Sequence, residues 1–291
     1  MSRPKGEMKI DDAIHGISTL IEVRAQSVSS QGTGFFYQEL SLKDPGKEGQ
    51  WREITELWLV TNRHVLLPRV YNAETKPTRL TFNLRKVSGD KVVWDPIVLG
   101  FEELANRARL HPNPSVDVCA IRILDLLTER IKSGEKYLKW YGVSAENLAG
   151  QNKINPHVGS NAIVVGYPRG FYDHVNVFPI VKSGIVATRW GAKFEGNPYF
   201  LIDAKLFPGS SGSIVISEPS NIAVENGHLL YAKEKQFAFL GIYSGELYQK
   251  HVPIEFDDLT IIRKSGFNVG VVWYGYLVDE IISGNVSLAK S

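Results

Sequence analysis

Hydrophobic and polar positions alternate along most of the chain in short runs, each bounded by Gly, Pro, Asn or Asp. That is the period of a pleated strand with one face turned inward, and the bounding residues supply the backbone angles that end it. Such runs cover residues 19–23, 34–37, 57–61, 79–84, 92–99 and 116–123 in the first half. In the second half they cover residues 162–166, 179–187, 199–203, 213–216, 237–243 and 269–274. Few long amphipathic periods separate them, so the pattern predicts an all-β sandwich or barrel and not alternating βαβ units. The stretch 126–156 is charged and strand-poor, with a helix-like start over 124–131. Six strands, a linker and six strands predict two packed β-barrels. The first half covers 1–125, the linker 126–156 and the second half 157–275, followed by a tail, 276–291, with one short helix over 277–282. Residues 39–52 read as an inserted surface hairpin.

Composition narrows the class. With 43% apolar and 22% charged residues among 291, the chain can bury a core and is not of the disordered type. Lys plus Arg number 33 against 31 Asp plus Glu, and a net charge of +2 gives no electrostatic footprint for nucleic acid or a membrane surface. The single cysteine, Cys119, excludes an internal disulfide framework and a cysteine-built metal site. The first thirty residues hold no apolar stretch of the leader type, and runs such as 162–165 fall far below the roughly 20 residues of a membrane helix. The expected location is therefore cytoplasmic. No His/Asp/Glu cluster has convincing ligand spacing, His111 near Asp117 being a loose pair, so neither metal nor cofactor is expected.

The sharpest segment is Phe207-Pro208-Gly209-Ser210-Ser211-Gly212-Ser213-Ile214-Val215. A serine hydroxyl is a weak nucleophile and needs a base and a pocket for the developing oxyanion. A Gly-x-Ser-Gly turn entering a buried strand can supply that pocket from the N–H groups of Gly209 and Ser211. Taken alone, the segment also reads as an ordinary Gly/Ser turn. It lacks the second glycine of a Gly-x-Ser-x-Gly elbow, because Ser213 stands there, which disfavours an α/β-hydrolase. His64 differs from the other histidines because it ends the apolar run 57–65, a place where an imidazole can be held at a cleft or simply packed. Asp117 opens the apolar run 116–123, on the same face as Cys119 and Ile121 by strand alternation. It reads as a carboxylate that orients the imidazole or as a turn-capping Asp. Asp203, eight residues before Ser211, is a rival for the first role. Cys119 itself reads as a packed core thiol.

The order His64, Asp117, Ser211, two in the first half and one in the second, resembles the trypsin-like serine peptidases. Thr61-Asn62-Arg63-His64-Val65, Asp117-Val118-Cys119-Ala120-Ile121 and Gly209-Ser210-Ser211-Gly212-Ser213 are similar to that family's three motifs. Further blocks agree: Val165 to Gly170, Lys182 to Val186, Ile202-Asp203-Ala204 and Leu240 to Gly245. The spellings look most like the bacterial HtrA-type and glutamyl-endopeptidase-type branches, over about residues 17–275. The resemblance implies a double β-barrel with the site between the barrels. It also implies Ser211 as nucleophile, His64 as general base and acid, Asp117 as orienting carboxylate, and an oxyanion hole at Gly209 and Ser211. It implies a substrate pocket lined near Lys205, Ser244, Gly245 and Glu246. A lysine there favours an acidic side chain, or else pairs with Glu246 or points to solvent.

Three departures qualify the match. The chain lacks an amino-terminal Ile-Val-Gly-Gly, and Ser210 stands where a new terminus would find an aspartate, which argues against activation by cleavage. No residues remain for a C-terminal peptide-binding (PDZ) domain. Ser213 in place of glycine is a change that crowds the site if its side chain faces it. The leading expectation is a serine endopeptidase acting on protein or peptide substrates, with a regulatory partner possible and neither nucleic acid nor membrane as a partner. The alternatives are a latent protease needing a partner or ligand to order its site, and a catalytically silent peptide-binding pseudoprotease.

Overall fold

The alternating runs assemble into two antiparallel β structures in the computed structural model, which describes residues 10–26, 28–42, 51–71, 73–250, 254–256, 259–261 and 264–290. The expected hairpin over 39–52 falls largely outside the described residues.

The first structure is an eight-stranded sheet. Its order is Val286–Ser287, Ala108–Leu110, Cys119–Arg122, Ile54–Thr61, Val28–Leu40, Ser18–Ala25, Arg79–Ser88 and Lys91–Gly100. It wraps a core of Ile21, Phe36, Leu59, Leu80, Phe82, Ile97, Cys119 and Ile121. The second structure is a closed barrel, Asn161–Gly166, Ile180–Val186, Tyr199–Asp203, Lys264–Tyr274, Phe239–Lys250 and Ile214–Ser217. Its interior holds Val164, Phe200, Ile202, Val215, Leu240 and Val272. The fold is mostly β and of the trypsin-like kind.

A third apolar cluster joins the two. Phe35, Tyr37, Val60, Val118 and Ala120 of the first half pack with Val165, Ile214, Ile216, Phe239 and Ile242 of the second. Within it the Phe35 and Phe239 rings meet edge to face at 5.4 Å, a geometry that adds about 1 kcal/mol beyond the area it buries. The strands therefore use both faces. One face lines the core of its own half, and the other feeds the joint between the halves.

Each expected strand lies within or overlaps an observed one, with shifted ends. Phe239–Lys250 runs well past the expected 237–243, and 116–123 contracts to Cys119–Arg122. The expected helices at 124–131 and 277–282 are found as Leu124–Lys132 and Leu277–Gly284. The chain then continues, and Val286–Ser287 pairs with Ala108–Leu110 of the first sheet. The terminal helix is anchored on the first half by a hydrogen bond from the Tyr37 hydroxyl to Asp279 and by His111 Nε2 with Glu280 Oε2 at 3.0 Å. Burial, with the Asp279 carboxylate beside it, raises the Tyr37 hydroxyl pKa far above its ordinary value, so this hydroxyl acts only as a neutral donor. Among the described residues no helix is long and apolar enough to cross a membrane.

Several elements go beyond the sequence pattern, among them two helices and a hairpin. The helices Ile10–Gly16 and Phe101–Arg107 are too short to show an apolar period. The hairpin of Ser220–Glu225 and His228–Gln236 turns on Asn226 and Gly227, both at positive φ (51° and 79°). An Asn-Gly pair between alternating runs is a strong local hairpin signal, and that signal was present in the sequence.

Candidate active site

His64 does not end a strand. The strand Ile54–Thr61 stops three residues earlier, and His64 sits in the single helical turn Arg63–Leu66 that follows. The turn lifts the imidazole out of the sheet, and Arg63 braces it through paired contacts of 2.8 Å to both Glu74 oxygens. Those bonds hold the Glu74 carboxyl below its ordinary pKa.

Asp117 likewise precedes its strand, which starts at Cys119, so the alternation that put Asp117 on the Cys119 face does not operate there. Cys119 is fully buried in the first core, and burial pushes its thiol pKa well up, as a packed core thiol requires. Asp117 faces the joint instead. Its backbone carbonyl accepts a 2.7 Å bond from the buried Asn62 side chain. Its carboxylate accepts from the His64 backbone N–H at Oδ1 (2.8 Å) and lies 2.6 Å from His64 Nδ1 at Oδ2. An ionised carboxylate only accepts, so the imidazole proton must sit on Nδ1, which leaves Nε2 as the free acceptor. Asp203, the rival carboxylate, ends a barrel strand, is exposed and makes no bond to His64.

Ser211 arrives on the opposite half. Gly209 and Gly212 both have positive φ (88° and 83°), which lets the chain curl around the serine. A Cβ on Gly212 would lie 2.0 Å from the Thr33 carbonyl oxygen, so only glycine fits at that position. The Ser211 hydroxyl donates to the Ser244 carbonyl at 2.9 Å, and the Ser244 hydroxyl donates to Asp117 Oδ2 at 2.5 Å. Ser244 thus links the serine turn to the carboxylate. The sequence groups Ser244 with the substrate pocket, but the structure gives its hydroxyl to Asp117. Among the described residues, the N–H groups of Gly209 and Ser211 donate to no protein acceptor, which leaves both available to an oxyanion.

Thr33 is the residue that sequence reasoning missed. Its N–H donates to the Ser211 carbonyl (2.8 Å), its hydroxyl donates to the Gly209 carbonyl (3.1 Å), and its carbonyl accepts from the Thr61 hydroxyl (2.7 Å). It clamps the serine turn of one half onto the histidine strand of the other. Glycines on both sides of Thr33, inside a strand, were a signal of close backbone approach. A Cβ on Gly32 would come within 3.0 Å of the Ser211 carbonyl oxygen.

Ser213 is fully buried beside Gly166, and its hydroxyl meets no partner. A Cβ on Gly166 would lie 1.9 Å from that hydroxyl oxygen, so the bare Gly166 makes room for the serine. Gly166→Ala is expected to cost about 2 kcal/mol by overpacking. Adding Ser213→Gly is expected to restore much of it, as read by thermal unfolding of the single and double variants. Strictly additive losses would show that the two positions are not coupled.

Of the remaining pocket residues, Lys205 is exposed and unpaired among the described residues. Glu246 Oε1 accepts the Asn268 backbone N–H at 2.9 Å and does not pair with Lys205, while the space beside Gly245 is open.

A closed antiparallel barrel joined to a second β half, with a serine turn against a His–Asp pair at the joint, defines the class of chymotrypsin-fold proteases. Residues 32–222, well over half of the chain, match the trypsin-like peptidase domain family, and the chain belongs to it. No curated protein sequence matches the chain. Similar solved structures include Rv3671c of M. tuberculosis, an inactive-form serine-to-alanine mutant. It is 15% identical over 94% of this chain and 88% of that one, with a TM-score of 0.42. The tobacco vein mottling virus protease is 12% identical over 94% and 83%, with a TM-score of 0.44. The catalytically active tobacco etch virus protease in complex with product is 9% identical over 84% and 73%, with a TM-score of 0.42. At such values the functional reading rests on this chain's own site.

Proposed function

We propose that the chain is a serine endopeptidase of protein or peptide substrates, in which residues 1–125 carry His64 and Asp117 and residues 157–275 carry Ser211. The observation that carries the proposal is the Asp117 carboxylate, which meets the His64 backbone, the His64 ring and the Ser244 hydroxyl at once. An imidazole fixed in that way presents Nε2 as a base. Ser211 then attacks the scissile carbonyl as Nε2 takes its proton, and the N–H groups of Gly209 and Ser211 receive the oxyanion. His64 returns the proton to the leaving amine. It next activates the water that frees the acyl group from Ser211. Cysteine chemistry is disfavoured, because Cys119 lies in the core with its thiol pKa raised.

One observation favours the latent alternative. The Ser211 hydroxyl points to the Ser244 carbonyl and not to His64. Releasing that single neutral hydrogen bond costs about 1 kcal/mol. That is too small to hold the enzyme off, so the active reading is preferred.

Intact mass after fluorophosphonate treatment tests it. A single adduct that peptide mapping places on Ser211 is expected. A folded protein that forms no adduct, with or without added peptide, would remove the serine-hydrolase reading.

A further inference from the structure

Two cations that make no ion pair among the described residues stand beside the serine turn. The Arg169 guanidinium lies over the Phe207 ring, 5.3 Å from its centroid, and Lys182 Nζ lies over the same ring at 4.7 Å. Phe207 is 37% exposed and precedes Ser211 by four residues. Elsewhere the cations Arg63, Lys86 and Arg107 are each matched to acids, whereas among the described residues Arg169 and Lys182 make no ion pair. A ring face at an exposed site offsets a cation by only about 0.5–1 kcal/mol. Two positive charges gathered at one ring, within about a Debye length of each other, therefore leave a solvent-facing positive potential beside the site.

The position of this cluster selects one side of the substrate. The Arg169 N–H donates to the Pro208 carbonyl at 2.6 Å, and a Cβ on Gly209 would lie 2.6 Å from the Arg169 nitrogen. Arg169 is thus built onto the Pro208–Gly209 end of the serine turn, whereas Tyr243 and Ser244 hold its Ser211–Gly212 end. If Ser244–Glu246 border the residue before the scissile bond, the Arg169 flank borders the residues after it.

We propose that Arg169, Lys182 and Phe207 form a subsite for a carboxylate side chain in the leaving segment of the substrate, within the first few residues after the scissile bond. The guanidinium fork takes the carboxylate, the ammonium adds charge, and the exposed ring receives the methylenes. The proposal rests on the serine endopeptidase reading for its orientation.

Binding to Ser211→Ala tests the subsite without turnover. The probes are fluorescent, carboxy-terminally amidated peptides carrying either Glu or Gln at the leaving-side positions, read by anisotropy. The Glu peptides are expected to bind about five- to tenfold tighter, with the preference shrinking at high salt. It is expected to disappear when Arg169→Gln and Lys182→Gln are added, with thermal unfolding confirming that the variant folds. Equal binding of the two peptides, or a preference that survives both substitutions, overturns the proposal. A neutral peptide with a free terminal carboxylate serves as a third arm. Tightening by that peptide alone would assign the subsite to a chain terminus and overturn the side-chain assignment. Fluorophosphonate labelling of the wild-type protein, run in parallel, reports separately on the peptidase reading.

Discussion

Ser211→Ala is expected to lower kcat by about 10⁶-fold, while the melting temperature stays close to that of the wild type. The substitution removes one oxygen, and that oxygen makes one bond, to the Ser244 carbonyl. The turn itself is held by backbone contacts and survives. Thr33 donates to the Ser211 carbonyl, and Gly212 N–H donates to the Tyr243 carbonyl at 2.8 Å. Residual activity of about 10³–10⁴-fold over water is expected from the oxyanion donors and substrate binding alone. Steady-state cleavage of an unstructured protein, with melting measured beside it, checks both halves of the expectation. Turnover within tenfold of wild type would mean that another group is the nucleophile.

Asp117→Asn is expected to cost about 10⁴-fold in kcat. The carboxylate now accepts at both oxygens, from the His64 N–H, the His64 ring and the Ser244 hydroxyl. An amide is neutral and replaces one acceptor by a donor. With its NH₂ group toward the ring, it forces the imidazole proton to Nε2, where the ring can no longer accept from Ser211. With its oxygen toward the ring, the NH₂ group opposes the His64 N–H. In either orientation the developing imidazolium loses its counter-charge. The loss should fall on kcat more than on KM, because Asp117 acts through His64 and not on the substrate. A loss confined to KM would assign Asp117 to binding.

How much of this was legible beforehand depends on the range of each interaction. Alternation and turn residues announced the strands, because one buried face imposes a period of two on any strand. The three motifs were visible because a serine turn needs glycines beside it and because an Asp and a His at the ends of apolar runs are costly without a partner. The short helix Phe101–Arg107 was not visible, since two turns show no period. The role of Thr33 was hidden because each of its bonds reaches far along the chain. Ser244 was grouped with the pocket only through the resemblance, and it was the approach of the two halves that turned its hydroxyl to Asp117.

The sequence by itself determined the strand-rich class and the two-part layout and singled out His64, Asp117 and Ser211 as candidates, because local period, turn chemistry and residue type are properties of neighbouring positions. Tertiary structure alone decided that Asp117 leaves its strand to face His64, that Ser213 packs against Gly166, that the tail returns to the first sheet, and that Arg169 and Lys182 gather over Phe207. Those outcomes depend on which surfaces meet when the apolar cluster between the halves closes. That closure is a balance of packing summed over distant segments, and no short stretch of sequence encodes it.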